Sequence, residues 1–247
     1  MEKVKFAILS TQRSGSTLMY SSLASHPLIK CLGEIFLPTY KADYSYFEHV
    51  RQTGISRPLE LLRRKNLVYG LLDRLYDSST ESAIGFKYMY SHSWHVPYRF
   101  PMVMKYIKEN DVRVLHLLRD SPLNTCVSRQ MAKSTSTFHS RTVKDQPNIR
   151  IDIPLMMKQL KRIETQKARW RSRLRKLDSL EISYEEFVEK KRETSIRILD
   201  FLGVDHDIEL VSPLKKLISR PLRETVENYS EMASAVKAAG YGQFLVE

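Results

Sequence analysis

The chain has 247 residues, of which 42% are hydrophobic and 28% are charged, and its formal net charge is +12. This length supplies one sizeable core and is short for two, so we expect a single domain over residues 1–247. The hydrophobic content and charge are ordinary for a soluble globular protein, and no apolar run reaches the roughly 18 residues of a membrane span. The positive charge favours an anionic partner, such as a nucleotide, a nucleic acid, an acidic polymer or a membrane surface.

Predicted strands and helices alternate along the chain. Short apolar runs predict strands, and helical spacing of apolar residues predicts helices. The strands are predicted at residues 4–9, 29–32, 84–88, 112–118 and 179–184, and the helices at 17–25, 59–75, 121–133, 156–177, 193–202 and 224–239. This alternation predicts an α/β fold with three layers, in which a central parallel sheet is flanked by helices.

The cysteine content bears on location. Cys31 and Cys126 are too few and too far apart in sequence for a disulfide framework, which favours a reducing compartment. The N-terminal segment lacks the features of a signal peptide. We therefore expect a cytoplasmic protein.

The segment Arg13-Ser14-Gly15-Ser16-Thr17 lies between the first predicted strand and the first helix. A tight loop of small residues at a helix start turns backbone N–H groups toward one point, and the helix dipole adds positive charge there. Gly15 allows close approach of an anion, and Arg13 adds a full charge. The loop lacks the lysine of the ATP-binding motif G-x-x-x-x-G-K-[ST], so we expect a P-loop-like anion site of another kind.

A second strand-to-helix segment carries Arg119 and, nine residues later, Ser128. An arginine at the carboxyl end of a strand lies on the ligand-binding edge of an open α/β sheet. The serine on the following helix is spaced to point toward the same place. We therefore predict a nucleotide that is phosphorylated at two positions. The loop would bind a 5′ anion, and the Arg/Ser pair would bind a separate phosphate.

The two segments "STQRSGSTLMYSSLASHP" and "LLRDSPLNTCVSRQMA" together resemble the nucleotide-binding signatures of the PAPS-dependent sulfotransferase family. The segment "LEISYEEFVEKKRETSIRILDFLGV" is similar to the late strand–helix segment of the family. The nine-residue spacing and "RPLRETVENY" are similar to its carbohydrate-acting and nodulation-type branch. The resemblance implies 3′-phosphoadenosine 5′-phosphosulfate (PAPS) as the sulfuryl donor and adenosine 3′,5′-bisphosphate (PAP) as the product. No metal is expected, because the transferred sulfuryl group carries fewer charges than a phosphoryl group.

The resemblance also implies roles for individual residues. The 5′-phosphosulfate would be bound by Arg13, Ser14, Gly15, Ser16 and Thr17. The 3′-phosphate would be bound by Arg119 and Ser128. Tyr184 would lie near the adenine, and Arg220 would close over the nucleotide from the C-terminal side.

Three further residues are candidates for the chemistry of transfer. Glu34 follows a short strand and a glycine, and it resembles the proposed base of carbohydrate sulfotransferases. Lys87 lies within an apolar strand, where a lysine has to reach an edge or an anion, so it is expected to stabilise the leaving oxygen or to hold Glu34. His92 is the reserve candidate for the base, and Arg13 is expected to stabilise the leaving group.

The segment 156–177 is predicted to be a long amphipathic helix. Met156, Leu160, Ile163 and Trp170 form an apolar stripe, and nine basic residues crowd the rest of the segment. The basic face is either solvated or the contact for an anionic glycan or a membrane surface.

The leading hypothesis is a sulfotransferase acting on a small-molecule or carbohydrate hydroxyl, with no nucleic acid as partner. Two alternatives stay open at this point. The first is an ATP-dependent P-loop kinase or NTPase, which is disfavoured by the missing loop lysine. The second is a non-catalytic nucleic-acid-binding protein, which explains the charge but not the loop or Glu34.

Overall fold

A computed structural model describes residues 3–40, 44–78, 80–92, 99–134, 148–213 and 220–245. The chain divides into two compact units, the first made of Met1–Leu118 and Ser172–Ser212 and the second of Arg119–Arg171 and Pro213–Glu247. A single domain over residues 1–247 stays a prediction. Within the described ranges, no helix combines the length and the apolar character needed to cross a membrane.

The first unit contains all five described strands. They are β1 (Val4–Ser10), β2 (Ile29–Leu32), β3 (Ala83–Met89), β4 (Arg113–Leu118) and β5 (Ser179–Ser183). Their order in the sheet is β2-β3-β1-β4-β5, and every pair of neighbours is parallel. The predicted parallel sheet is therefore confirmed, and the carboxyl ends of its strands lie along one edge.

Helices of the first unit surround this sheet. They are α1 (Ser16–Leu23), α2 (Tyr46–Gln52), α3 (Arg57–Asp77), α4 (Arg99–Glu109), α7 (Tyr184–Glu189) and α8 (Lys191–Leu202). All seven residues of β3 are buried. Since side chains alternate between the two faces of a strand, both faces of the sheet are covered.

One apolar cluster packs α1 and α8 against one face of the sheet. It joins Met19 and Leu23 of α1 and Ile198 of α8 to Phe6 and Ile8 of the central strand β1. A second set of buried side chains comes from α3 and α4 and includes Leu71, Leu72, Leu75, Val103 and Tyr106. The three-layer fold is the consequence of apolar helix faces meeting a sheet that is apolar on both sides.

The second unit is helical. Its elements are α5 (Pro122–Ser134), most of α6 (Ile153–Leu174), α9 (Leu222–Thr225), α10 (Tyr229–Ala238) and a 3₁₀ helix (Gly242–Leu245). Its core is the predicted apolar stripe of α6, where Met156, Leu160 and Ile163 pack with residues of α5 and α10. Lys167, expected among the basic residues outside the stripe, is instead buried, with 9% of its surface exposed.

The prediction of one continuous helix at 224–239 is wrong. The structure has two helices there, α9 and α10, with a non-helical segment between them. Val226 pairs with Ile149 in an isolated parallel bridge. The Asn228 side chain accepts a hydrogen bond from the Ile151 N–H at 2.8 Å and donates one to the Ile151 carbonyl at 3.0 Å. These contacts between distant segments replace the helical hydrogen bonds that local sequence favours.

Three α-helices of the described ranges were not predicted from the sequence, namely α2, α4 and the short α7. α2 begins after Ser45, whose hydroxyl accepts from the Glu48 N–H at 3.5 Å. The pattern Ser-x-x-Glu is the signature of a capping box, so a local signal for α2 was present. α4 carries buried Val103, Tyr106 and Ile107 at helical spacing.

Candidate active site

The candidate residues of the first unit follow its strands at the carboxyl edge of the sheet. The loop 11–15 follows β1, Glu34 follows β2, His92 follows β3 and Tyr184 follows β5. The carboxyl edge is where open α/β sheets bind their ligands. Short connections after parallel strands therefore bring these residues to one side of the sheet.

The loop after β1 has the backbone of an anion-binding nest. Arg13 has a φ of 66° and Gly15 a φ of 86°, so two left-handed residues are separated by one. Such alternation turns successive N–H groups toward one side of the chain. The hydroxyl of buried Ser14 donates to the Thr11 carbonyl at 2.7 Å, so its side chain holds the loop while its backbone stays available.

Helix α1 begins directly after this nest, with Gly15 in the N-cap position. In the part of the chain that the structure describes, no side chain caps its first turn. The first N–H groups of a helix have no partner within the helix and carry partial positive charge. The N-terminus of α1 can therefore accept an anion held by the nest.

Tyr184 packs directly on Gly15. A Cβ added to Gly15 would lie 2.1 Å from Cδ2 of the Tyr184 ring. Ser183 precedes it as the N-cap of α7, and its hydroxyl accepts from the Glu186 N–H at 3.0 Å. The cap fixes where α7 begins and so fixes the tyrosine ring beside the loop.

Glu34 lies between two nitrogen donors. One carboxylate oxygen is 3.3 Å from Nζ of Lys87, and the other is 3.3 Å from Nε2 of His92. The Lys87 and His92 side chains are 6% and 3% exposed, whereas that of Glu34 is 22% exposed. Two buried donors therefore orient the carboxylate, which stays partly accessible to solvent.

Lys87 connects this carboxylate to the loop. Its Nζ donates to Oγ1 of Thr17, the second residue of α1, at 3.1 Å. It also lies 5.8 Å from the centre of the Tyr20 ring, within cation–π range. A lysine in the middle of a buried strand thus meets an anion, which is one of the two outcomes that the sequence left open.

The contacts of His92 determine its tautomer. Nδ1 accepts a hydrogen bond from the Met89 N–H at 3.3 Å, so this nitrogen carries no proton. The proton of the neutral ring then lies on Nε2, which donates to Glu34. With both ring nitrogens occupied, His92 is arranged to orient Glu34.

The candidate 3′-phosphate residues lie in the second unit. Arg119 comes immediately after β4 in the chain and is 8% exposed, and Ser128 on α5 is 3% exposed. Ser121 caps α5, since its hydroxyl accepts from the Asn124 N–H at 3.2 Å. Arg220 lies on the surface and donates to Oδ1 of Asn148 at 3.0 Å.

Residues 6–208 match the model of the sulfotransferase family. The chain belongs to the sulfotransferase family. Members of this family transfer a sulfuryl group from PAPS and release PAP. Membership favours sulfuryl transfer over the kinase and nucleic-acid-binding alternatives.

Solved structures share the fold of this sulfotransferase. The sulfotransferase from Alicyclobacillus acidocaldarius is 15% identical, with a TM-score of 0.52 over 99% of this chain and 96% of that one. The sulfotransferase domain from the curacin biosynthetic pathway is 16% identical, with a TM-score of 0.50 over 96% of this chain and 91% of that one. No curated protein sequence matches this chain.

Opposing effects act on the Glu34 carboxyl of the sulfotransferase. Partial burial raises its pKa, while hydrogen bonds from His92 and Lys87 and the charge of Lys87 lower it. The net result is a pKa below the usual 4.5. Glu34 is therefore ionised at neutral pH and able to accept a proton.

Sequence reasoning missed a second hydrogen-bonded chain in the first unit. The Tyr90 hydroxyl lies 2.5 Å from Nε2 of His116, and Nδ1 of His116 lies 3.1 Å from the Glu181 carboxylate. Because a carboxylate only accepts, Nδ1 carries the proton and Nε2 of the neutral ring accepts from Tyr90. The available signal was a histidine within the apolar run of β4.

Tyr90 also ties β3 to the start of the loop. Its backbone N–H donates to the Ser10 carbonyl at 2.9 Å. His92 lies two residues further on, so the same turn carries the donor to Glu34. The chain from Glu181 to Tyr90 therefore supports the turn in which His92 lies.

Proposed function

We propose that this sulfotransferase transfers the sulfuryl group of PAPS to an acceptor hydroxyl, of a carbohydrate or glycolipid, with Glu34 as the general base. The observation that carries this proposal is the Lys87–Glu34–His92 cluster, which Thr17 connects to the anion-binding loop. Transfer of a sulfuryl group to a hydroxyl requires a base close to a site that holds the anionic donor, and this hydrogen-bonded cluster offers both.

In this reaction the acceptor oxygen forms a bond to sulfur as the bond from sulfur to the phosphate oxygen of PAPS breaks. Glu34 takes the proton of the acceptor hydroxyl. Negative charge grows on the phosphate oxygen that leaves with PAP. Arg13, Lys87 and the loop N–H groups stabilise that charge, as positioned donors do in other group transfers.

The lowered pKa of Glu34 bears on its strength as a base. A carboxylate with a pKa below 4.5 is a weak base, but it is always in the reactive form at neutral pH. Weak basicity suffices if the proton leaves after the new O–S bond has largely formed. His92 then serves to orient Glu34, because neither ring nitrogen of its neutral form is open to the acceptor.

The nucleotide is proposed to bind through the residues that the two signature segments supply. The nest 13–17 takes the 5′-phosphosulfate, and Arg119 with Ser128 takes the 3′-phosphate. Tyr184, which packs on Gly15, is proposed to contact the adenine, and Arg220 to cover the nucleotide. A carbohydrate-type acceptor is proposed on the resemblance of these motifs. A reaction without a metal is proposed because the sulfuryl group carries fewer charges than a phosphoryl group.

The exposed basic face of α6 is proposed to meet an anionic glycan or membrane surface. Lys158, Lys161 and Arg169 are exposed on this helix, whose apolar stripe is occupied by the core of its own unit. Binding would therefore be electrostatic, without insertion of the helix. Absence of a nucleic acid partner and a cytoplasmic location stay predictions.

The substitution Glu34→Gln tests the proposed base. It keeps the shape of the side chain but removes the acceptor for a proton, so we expect transfer from PAPS to a hydroxyl acceptor to fall by about 10²–10⁴-fold. PAP binding, measured by calorimetry, should stay near the wild-type value. The matched control is Glu48→Gln, which alters an exposed carboxylate that is paired with Arg51 on α2.

A wild-type transfer rate in Glu34→Gln would exclude Glu34 as the base. Loss of PAP binding in the same variant would instead assign Glu34 to the nucleotide site. If Glu48→Gln lost as much activity as Glu34→Gln, the effect would not be specific to the proposed base.

A further inference from the structure

Lys167 occupies a position in α6 that the helix period reserves for an apolar residue. The stripe runs through Met156, Leu160, Ile163 and Trp170, and Lys167 is the next step after Ile163 at the same spacing. Only 9% of its surface is exposed. Leucine or methionine would fill this position without the cost of burying an ammonium group.

The ammonium group of Lys167 makes two long polar contacts. Nζ is 3.4 Å from the backbone carbonyl of Asp120 and 3.4 Å from a carboxylate oxygen of Glu164, one turn earlier on α6. Lysine has three N–H donors. Within the described residues the third has no acceptor, so Lys167 retains capacity for a further anion.

The contact with Asp120 brings Lys167 to the segment that carries Arg119. Arg119 is the preceding residue and is likewise almost fully buried. The unfilled N–H donor of Lys167 therefore lies in the part of this unit that also holds the residue following Arg119.

We propose that Lys167 is a further ligand of the 3′-phosphate of the nucleotide, together with Arg119 and Ser128; this inference rests on the proposed function. A phosphate monoester carries nearly two negative charges, more than one arginine neutralises. Arg119 supplies planar paired donors, Ser128 a neutral hydroxyl, and Lys167 a compact point charge.

The test is calorimetric titration with PAP and with AMP, which lacks the 3′-phosphate. The affinity ratio between the two nucleotides isolates the contribution of that phosphate. In Lys167→Met we expect the ratio to fall by at least about tenfold, because a hydrogen bond to a charged group is lost. AMP affinity should change by less than about twofold.

Two other variants serve as references. Lys161→Met makes the same substitution on the exposed face of α6 and should leave both affinities unchanged. Arg119→Ala should lower the ratio in the same way as Lys167→Met. Lys167→Gln, which keeps a polar end group, serves if Lys167→Met does not fold, and the same loss of ratio is expected.

The outcomes separate this inference from the proposed function. A wild-type chain that binds PAP no better than AMP would overturn the two-phosphate site itself. If Arg119→Ala lowers the ratio while Lys167→Met and Lys167→Gln keep it, the site stands and the role of Lys167 is refuted. An equal loss in Lys161→Met would also refute it, because the effect would then be one of general charge.

Discussion

Glu34 is held by two donors of different character. Lys87 supplies a charge that holds the carboxylate, and His92 supplies a directed hydrogen bond whose other end is anchored on the Met89 backbone. Lys87 favours the ionised form of the carboxylate, and His92 also fixes the orientation of the carboxylate. A residue held in this way is ready for proton transfer without rearrangement.

The pKa of Glu34 predicts how stability depends on pH. Because its folded-state pKa lies below the usual 4.5, the ionised carboxylate stabilises the folded state above that value. This contribution is lost as the pH falls through the folded-state pKa. We therefore expect the stability difference between wild type and Glu34→Gln to be largest near neutral pH and to shrink on acidification.

Urea unfolding of both proteins from pH 7 to pH 3 measures this difference. A difference that grows on acidification would contradict the direction of the pKa shift. A difference independent of pH would mean that burial and the two donors cancel at Glu34.

At the level of elements, the loop after β1 and helix α7 depend on one another. Gly15 serves two purposes, because it adopts a left-handed φ and leaves room for the Tyr184 ring. The substitution Gly15→Ala should therefore destabilise the protein by more than the about 1–2 kcal/mol of a left-handed alanine. It should also weaken PAP binding, because either the loop or Tyr184 has to move.

Gly54→Ala is the matched control for this prediction. Gly54 has a φ of 65°, and an added Cβ would meet nothing within 4 Å. Gly54→Ala should show only the destabilisation caused by a left-handed alanine and should leave PAP binding intact. Adding Tyr184→Ala to Gly15→Ala should relieve the clash; equal thermal shifts for the two alanine variants would argue against any clash at Gly15.

At the level of the whole molecule, charge is unevenly distributed between the two units. The second unit carries 17 basic and eight acidic residues, a net charge of +9 out of the total of +12. The first unit is therefore close to neutral for its size. An anionic surface should be attracted mainly by the second unit.

Reversal of charge on α6 tests this prediction. The triple substitution Lys158→Glu, Lys161→Glu and Arg169→Glu should weaken binding to phosphatidylserine vesicles by at least about a hundredfold at low ionic strength, since each lost basic residue costs about 1 kcal/mol and each new carboxylate is repelled. The control triple Arg63→Glu, Lys65→Glu and Lys108→Glu changes net charge equally in the first unit. Equal losses in a sedimentation assay would assign the attraction to net charge rather than to α6.

Much of the fold could be predicted because its signals are local. The five strands are short apolar runs, and the helices on either side of them repeat apolar residues at every third or fourth position. Where distant segments compete with local preference, prediction failed. The helix expected at 224–239 breaks because Ile149 and Ile151 capture the backbone and side chain of Val226 and Asn228.

The candidate site shows the same division. By itself the sequence determined the order of strands and helices, the nest at Arg13–Thr17 and the family, since these depend on residue type and spacing along the chain. Only the tertiary structure decided that Lys87 and His92 both hold Glu34, that Tyr184 fills the space at Gly15, and that Lys167 faces inward. These contacts join residues up to 169 positions apart, from Gly15 to Tyr184, and no local pattern encodes which side chains will meet once the strands are aligned.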